Sequence, residues 1–192
     1  MFNVLLHPYP EQWNEYPIDT DFQTGIMISQ CLEDTELSER EKMYTALSLL
    51  FPQEDKRPPL SEALEALEWW MSDFNHDKHK KQQSRQKAID FDVDQWRIYA
   101  AFLSQYGIDL NTVKMHWFCF MGLLANLEEC SFSRVIDIRQ KRFTGKMSQE
   151  EKRYYAEMKK VYSLGTKEEV LTDEEKARAD EALEAFNRLR NQ

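Results

Sequence analysis

With 192 residues, 42% of them hydrophobic and 31% charged, the chain holds enough apolar mass for one ordinary domain and too much for a disordered one. Only 5 Gly and 6 Pro are present, few for a turn-rich all-β protein, and the strong helix formers dominate. A net charge of −9 argues against a general nucleic-acid binder, since phosphate attraction needs a basic footprint.

The charge is unevenly spread. Residues 1–74 carry 15 acidic and 4 basic side chains, residues 75–89 carry 1 and 5, and residues 90–192 carry 18 and 16. Solubility alone explains an acidic half beside basic segments, and so does the steering of a partner. Cys31, Cys119 and Cys130 are an odd number at unrelated spacings, which suits free thiols in a reducing compartment. The opening Met1-Phe2-Asn3-Val4-Leu5-Leu6 has no basic start and meets Pro8 at once, so no secretory leader is expected. The longest apolar run, Trp117 to Ala125, is too short for a membrane span.

In chain order, Pro8, Pro10 and Pro17 keep the opening segment from being a helix, and a short strand is expected at Asn3 to Leu6. Asp19-Thr20-Asp21 is an N-cap cluster for a first helix, Thr20 to Leu32. Gly25 weakens that helix by about 1 kcal/mol relative to Ala, a sign that a neighbouring backbone passes close. Ser38-Glu39-Arg40-Glu41 is a capping box. It starts a second helix that carries Met43, Leu47 and Leu50 and stops at Pro52. A third helix runs from Leu60 to about Phe74, with Leu60, Leu64, Leu67 and Met71 expected inside and Trp70 and Phe74 beside them.

Residues 75–89 have no apolar side chain before Ala88 and are expected to form a mobile basic linker. The fourth helix places Val93, Trp96, Tyr99 or Ala100, Leu103 and Tyr106 on its expected inner face and ends at Gly107, a left-handed cap. Asp109 caps a fifth helix, Leu110 to Leu127, which is apolar nearly all round and so is expected at the centre of the fold. A short sixth helix covers Ser133 to Gln140. Ser148-Gln149-Glu150-Glu151 is a second capping box, opening a helix to Leu164 with Tyr154, Tyr155, Met158, Val161 and Tyr162 as its stripe. A last helix after Thr172-Asp173 carries Ala179, Leu183, Phe186 and Leu189. The expected fold is therefore all-α: a multi-helix orthogonal bundle around Leu110–Leu127, spanning residues 1–145, followed by a C-terminal helical hairpin at 146–192.

Candidate chemistry is sparse. Asp90-x-Asp92-x-Asp94 resembles the opening of a calcium loop, but Gln95 stands at the sixth position and Ala101 at the twelfth, where Gly and Glu are needed; helix capping explains the carboxylates better. His76 and His79 lack a third metal ligand. His116 and Cys119 share a helical face, yet nothing around them supplies an oxyanion hole, and core packing is the preferred reading. No Gly-rich phosphate loop, dinucleotide fingerprint or paired-carboxylate motif is present. Of the Trp69-Trp70 pair, one ring can face the core and the other sit at its edge, as a boundary residue or a binding anchor. Arg139, Lys141, Arg142, Lys146, Lys152, Arg153, Lys159 and Lys160, interleaved with Phe143, Tyr154 and Tyr155, form a basic stretch read as a solvated face.

Three groups of motifs in order then carry a resemblance: Tyr16-Pro17-Ile18-Asp19-Thr20-Asp21-Phe22; Phe91-Asp92-Val93-Asp94 with Ile98-Tyr99-Ala100-Ala101-Phe102; and Tyr106-Gly107-Ile108-Asp109-Leu110 with His116-Trp117 and Leu123-Leu124. Together, from Tyr16 to near Lys160, they resemble a bacteriophage family catalogued as gene-product fifteen of siphophages and prophages of Gram-positive bacteria. The resemblance implies tail morphogenesis in the host cytoplasm, as a tail assembly chaperone that binds the tape-measure protein and tail-tube subunits. It brings no catalytic residue, cofactor or metal, and neither nucleic acid nor membrane as partner. A permanent virion component, such as a minor tail or connector protein, is the alternative; an enzyme or nucleic-acid-binding regulator is a further one. Candidate partner-binding residues, toward a tail protein or a second copy of the chain, are Trp69, Tyr155, Met158, Tyr162, Leu183 and Phe186.

Overall fold

A computed structural model describes residues 3–72 and 87–164. The chain divides into two compact units, 1–140 and 141–192. Seven α-helices and one two-stranded ribbon make up the regular structure of the described residues, so the protein is mainly helical.

The first unit opens with a turn rather than the expected strand at Asn3 to Leu6. Asn3 Oδ1 accepts from the Leu5 amide at 2.9 Å, and the Asn3 carbonyl accepts from Leu6 and His7; a short polar side chain that serves its own backbone favours a turn over a strand. The pairing moves downstream, to β1 (Gln12–Trp13) and β2 (Tyr16–Pro17), antiparallel with Trp13 opposite Tyr16. Asn14 takes a positive φ of 51° in the connection, a conformation Asn tolerates better than most residues.

Helix α1 (Phe22–Glu33) is capped by Asp21, whose side chain accepts from the Gln23 amide. Helix α2 (Glu39–Leu50) begins at the Ser38–Glu41 capping box, and Phe51 closes it ahead of Pro52. A 3-10 turn (Glu54–Lys56) leads to α3 (Leu60–Ser72). Helix α4 (Gln95–Tyr106) ends at Gly107 with φ 67°, where the Gly107 and Ile108 amides close onto Leu103 and Phe102, the left-handed cap the sequence predicts. Helices α5 (Trp117–Ala125) and α6 (Ser131–Gln140) complete the unit. Helix α1 packs on α2 and α5, α2 on α3, and α4 on α5 and α6.

The central helix is shorter than its hydrophobicity suggests. Asp109 caps only one turn, through the Asn111 amide at 2.9 Å, after which the chain extends and pairs His116 with Asp21 as an antiparallel bridge. The Phe22 amide donates to the Met115 carbonyl at 2.9 Å and the Trp117 amide to the Thr20 carbonyl at 2.8 Å. The segment leading into each helix thus satisfies the first orphan amide of the other. Periodicity cannot reveal that exchange, because it joins segments about ninety residues apart.

Two stripes also turn. In α3, Ala63, Ala66, Leu67 and Trp70 are buried, whereas Leu60 and Leu64 face out. In α4, Ile98, Ala101 and Phe102 are buried, whereas Trp96 and Leu103 are exposed, as is Val93 just before the helix. The larger Phe102 and Trp70 take the core side, and the alternative stripes are left on the surface.

The second unit contains α7 (Gln149–Val161), started by the Ser148–Glu151 capping box. Within it Lys141 Nζ lies 4.9 Å from the Tyr155 ring centre and Lys159 Nζ 5.6 Å from that of Phe143, cation–π distances. The expected last helix, with Leu183 and Phe186, lies outside the described residues.

Candidate interaction surface

The junction of α1 and α5 is closed by aromatic packing. Trp117 lies flat over Gly25: a Cβ there would meet the indole at 2.2–2.8 Å. The close neighbour at this helical glycine is an indole ring, not the backbone expected from the sequence. Trp117 Nε1 donates to the Trp70 carbonyl at 3.2 Å, and the ring stacks on Phe120, which stacks in turn on Phe22 and Phe102.

His116 is the N-cap of α5 rather than a residue inside the helix. Its Nδ1 accepts from the Phe118 amide at 3.0 Å, and its Nε2 faces the Pro10 carbonyl at 3.0 Å, so the neutral ring carries its proton on Nε2. The sequence places it among core residues because only the exchange with Thr20 and Asp21 fixes where α5 begins. Burial pushes its pKa below the ordinary 6.5, against the opposing effects of the Pro10 carbonyl and Glu11. Tyr9 stacks on the ring at 4.7 Å. Burial, with Cys119 as hydrogen-bond partner, pushes the Tyr9 phenol up to about 12. With both imidazole nitrogens engaged, His116 is not placed to take a proton from Cys119.

The three aspartates each have structural work. Asp90 Oδ1 accepts from the Asp92 and Val93 amides, Asp92 accepts from Gln30 of α1 at 2.7 Å, and Asp94 is fully buried. Asp94 makes no side-chain cap. It receives two bonds from Arg139, at 2.6 and 3.0 Å, and one from Arg97 at 3.1 Å. Arg139 also donates to the Ala88 carbonyl and is 5% exposed. It is thus removed from the basic stretch expected to be solvated, and no spacing rule links it to Asp94. Within the segment expected as a linker, Lys87 pairs with Glu33 and Asp90 at 2.6 and 2.8 Å; residues 75–86, with His76 and His79, lie outside the described residues. Among the described residues, no three of His, Cys, Asp and Glu gather as a metal site would require.

Of the predicted partner-binding residues, Trp69 is half-buried, 4.9 Å from Trp13 and edge-on to Phe118 at 5.3 Å. Tyr155, Met158 and Tyr162 are half-buried on α7. The exposed apolar feature that sequence reasoning turned inward is the outer face of α4. Trp96 is 73% exposed, Val93 54% and Leu103 45%, with Tyr99 edge-on to Trp96 at 6.0 Å. Beside it opens a cleft of about 250 Å³ between α1 and α4, walled by Phe22, Ile26, Phe91 and Leu110 and floored by Phe120. Such a stripe beside an apolar cleft suits a helix laid along it, with Trp96 as anchor.

The architecture is thus that of a mainly helical protein whose described residues carry an exposed apolar stripe beside a cleft. A profile of the bacteriophage Gp15 protein family matches residues 5–164, so the chain belongs to that family. No curated protein and no solved structure matches it. Among the described residues no helix is long and apolar enough to cross a membrane.

Proposed function

We propose that this phage-family protein acts in tail morphogenesis as a non-catalytic tail assembly chaperone, binding the tape-measure protein and tail-tube subunits in the host cytoplasm and leaving before the tail is complete. The observation that carries the reading is the outward apolar stripe of α4, Trp96 and Leu103, continued by Val93 in the turn before it, beside its cleft. A chaperone of a long helical client needs a surface that holds one amphipathic helix after another without enclosing it. A shallow stripe with a single large aromatic anchor supplies that. Family membership places the chain among phage proteins.

The test is co-expression of the chain with the products of neighbouring tail genes, followed by affinity capture and by a search for the chain in purified particles. Capture of the tape-measure product, loss of that capture in Trp96→Ala, and absence from the particle are the expected results. Presence in the particle would make the protein a permanent tail or connector component. Failure to capture any tail product would remove the tail role itself.

A further inference from the structure

A second concavity lies on other elements. Between α2 and α3, closed below by the segment after the 3-10 turn, is a cavity of about 320 Å³ lined by Met43, Tyr44, Leu47, Pro58, Leu60 and Ala63. That is the small end of the ~300–1,000 Å³ range of ligand pockets, room for one or two apolar side chains. Its mouth is unusually apolar: Leu60 is 67% exposed and Tyr44 64%.

The charge around it runs against its surroundings. Residues 1–74 carry 15 acidic side chains and only 4 basic ones, Arg40, Lys42, Lys56 and Arg57. Arg40 and Arg57 both line the cavity, and among the described residues no acidic side chain does. Neighbouring carboxylates are occupied elsewhere: Glu41 closes the capping box with Ser38, and Glu39 holds Lys42 at 2.8 Å. Among the described residues neither arginine has a carboxylate at ion-pair distance. Arg57 instead donates from Nη2 to Ser48 Oγ and to the Phe51 carbonyl, at 3.3 Å each, and its Nε is buried with no acceptor. Two guanidinium groups without counterions beside an open apolar cavity are matched by a ligand bearing an apolar anchor flanked by carboxylates.

We propose that the cavity between α2 and α3 docks an acidic amphipathic helix of another protein, which seats one apolar side chain between Met43, Leu47 and Ala63 and sets its carboxylates against Arg40 and Arg57. The site shares no lining residue with the α4 cleft, so it stands whether or not the tail role does. Charge of one sign on a bound segment also excludes basic helices, which the α4 face, lined by neutral side chains, does not do.

The test uses the full chain and two fluorescein-labelled peptides of about 20 residues, long enough to hold a helix. One has a Leu pair at i and i+4 flanked by Glu, and its twin has Lys for every Glu. Fluorescence anisotropy is expected to show saturable binding of the acidic peptide alone, weakened by salt. Arg40→Glu and Leu60→Ser alter exposed side chains, so folding should survive, which circular dichroism checks; each is expected to weaken binding about tenfold or more. Equal binding of both peptides, or unchanged binding by the two variants, would overturn the proposal. So would a wild-type chain that ignores the peptides but sediments as a dimer dissociated by Leu60→Ser, because the occupant would then be a second copy.

Discussion

Trp117 and Trp96 lie on neighbouring helices and both contribute to aromatic clusters, yet the fold treats them oppositely. Trp117 is 3% exposed, lies on Gly25 and donates its indole N–H to the Trp70 carbonyl; Trp96 is 73% exposed, with Tyr99 edge-on to its ring. The difference lies in what stands opposite. A glycine in α1 admits one indole, and the inner face of α4 is already filled by Ile98 and Phe102. Packing is therefore concentrated on the sheltered side, where α5 lies against α1 and α4 covers α5 and α6, and an apolar side chain is left outside.

The strongest way to break that contrast is at the ion pair that bolts α4 to α6. Arg139→Met leaves Asp94 buried with only Arg97 as a cationic partner, and removing one member of a buried pair costs about 3–5 kcal/mol. Denaturant unfolding is expected to show that loss. The double variant Asp94→Leu with Arg139→Met should recover much of it, since no uncompensated charge remains. A single variant as stable as wild type would show that the pair contributes little.

Gly25→Ala comes next. Helix propensity favours Ala by about 1 kcal/mol, but a Cβ at 2.2 Å from the Trp117 ring forces α1 and α5 apart. Overpacking of this kind costs about 1–3 kcal/mol, and so short a contact places the net effect toward the upper end. A thermal melt should shift down; an upward shift would mean that the indole can move aside freely.

His116 gives a smaller, pH-linked effect. Burial lowers its folded pKa beneath the ordinary 6.5. The stability gained from the neutral cap is thus full above about pH 6.5 and is lost as pH falls through the lowered folded value. His116→Asn keeps a capping oxygen without a titrating ring. Between pH 7.5 and 5.5 the wild type is expected to lose more melting temperature than the variant, and parallel losses would place the acid sensitivity elsewhere.

How far the sequence discloses this arrangement differs from helix to helix. The Ser38 and Ser148 capping boxes and the Gly107 stop are local chemistry, and the structure has each where the residues predict it; the first helix starts at Phe22 behind Asp21, two residues past the expected Thr20. The stripes of α3 and α4 are ambiguous, because each helix carries apolar side chains on two faces and only their partners decide which is buried. The start of α5 was hidden for a different reason: Leu110 to Met115 are hydrophobic enough for a helix, but the Thr20 and Asp21 backbone competes for them. Asp94–Arg139 is a distant pair between two residues whose local readings, a cap and a solvated cation, were complete without each other. An apolar stripe thus marked α4 from the sequence alone, but its direction, which makes it a candidate binding face, emerged only from packing.

The gentlest substitution sharpens the comparison most. Trp96→Ala removes a large aromatic side chain, and the same change at Trp117 would cost about 3–5 kcal/mol. At 73% exposure the indole of Trp96 has little buried area to lose, so unfolding should shift by no more than about 0.5 kcal/mol. Capture of a tail partner through α4 should nevertheless fall at least tenfold, because truncating an interface anchor costs about 2 kcal/mol or more. If stability and capture fell together, the exposed stripe would be part of the core after all. If neither moved, the client would bind another face. Only intact stability with lost capture separates the side of α4 that holds the fold from the side that meets a partner.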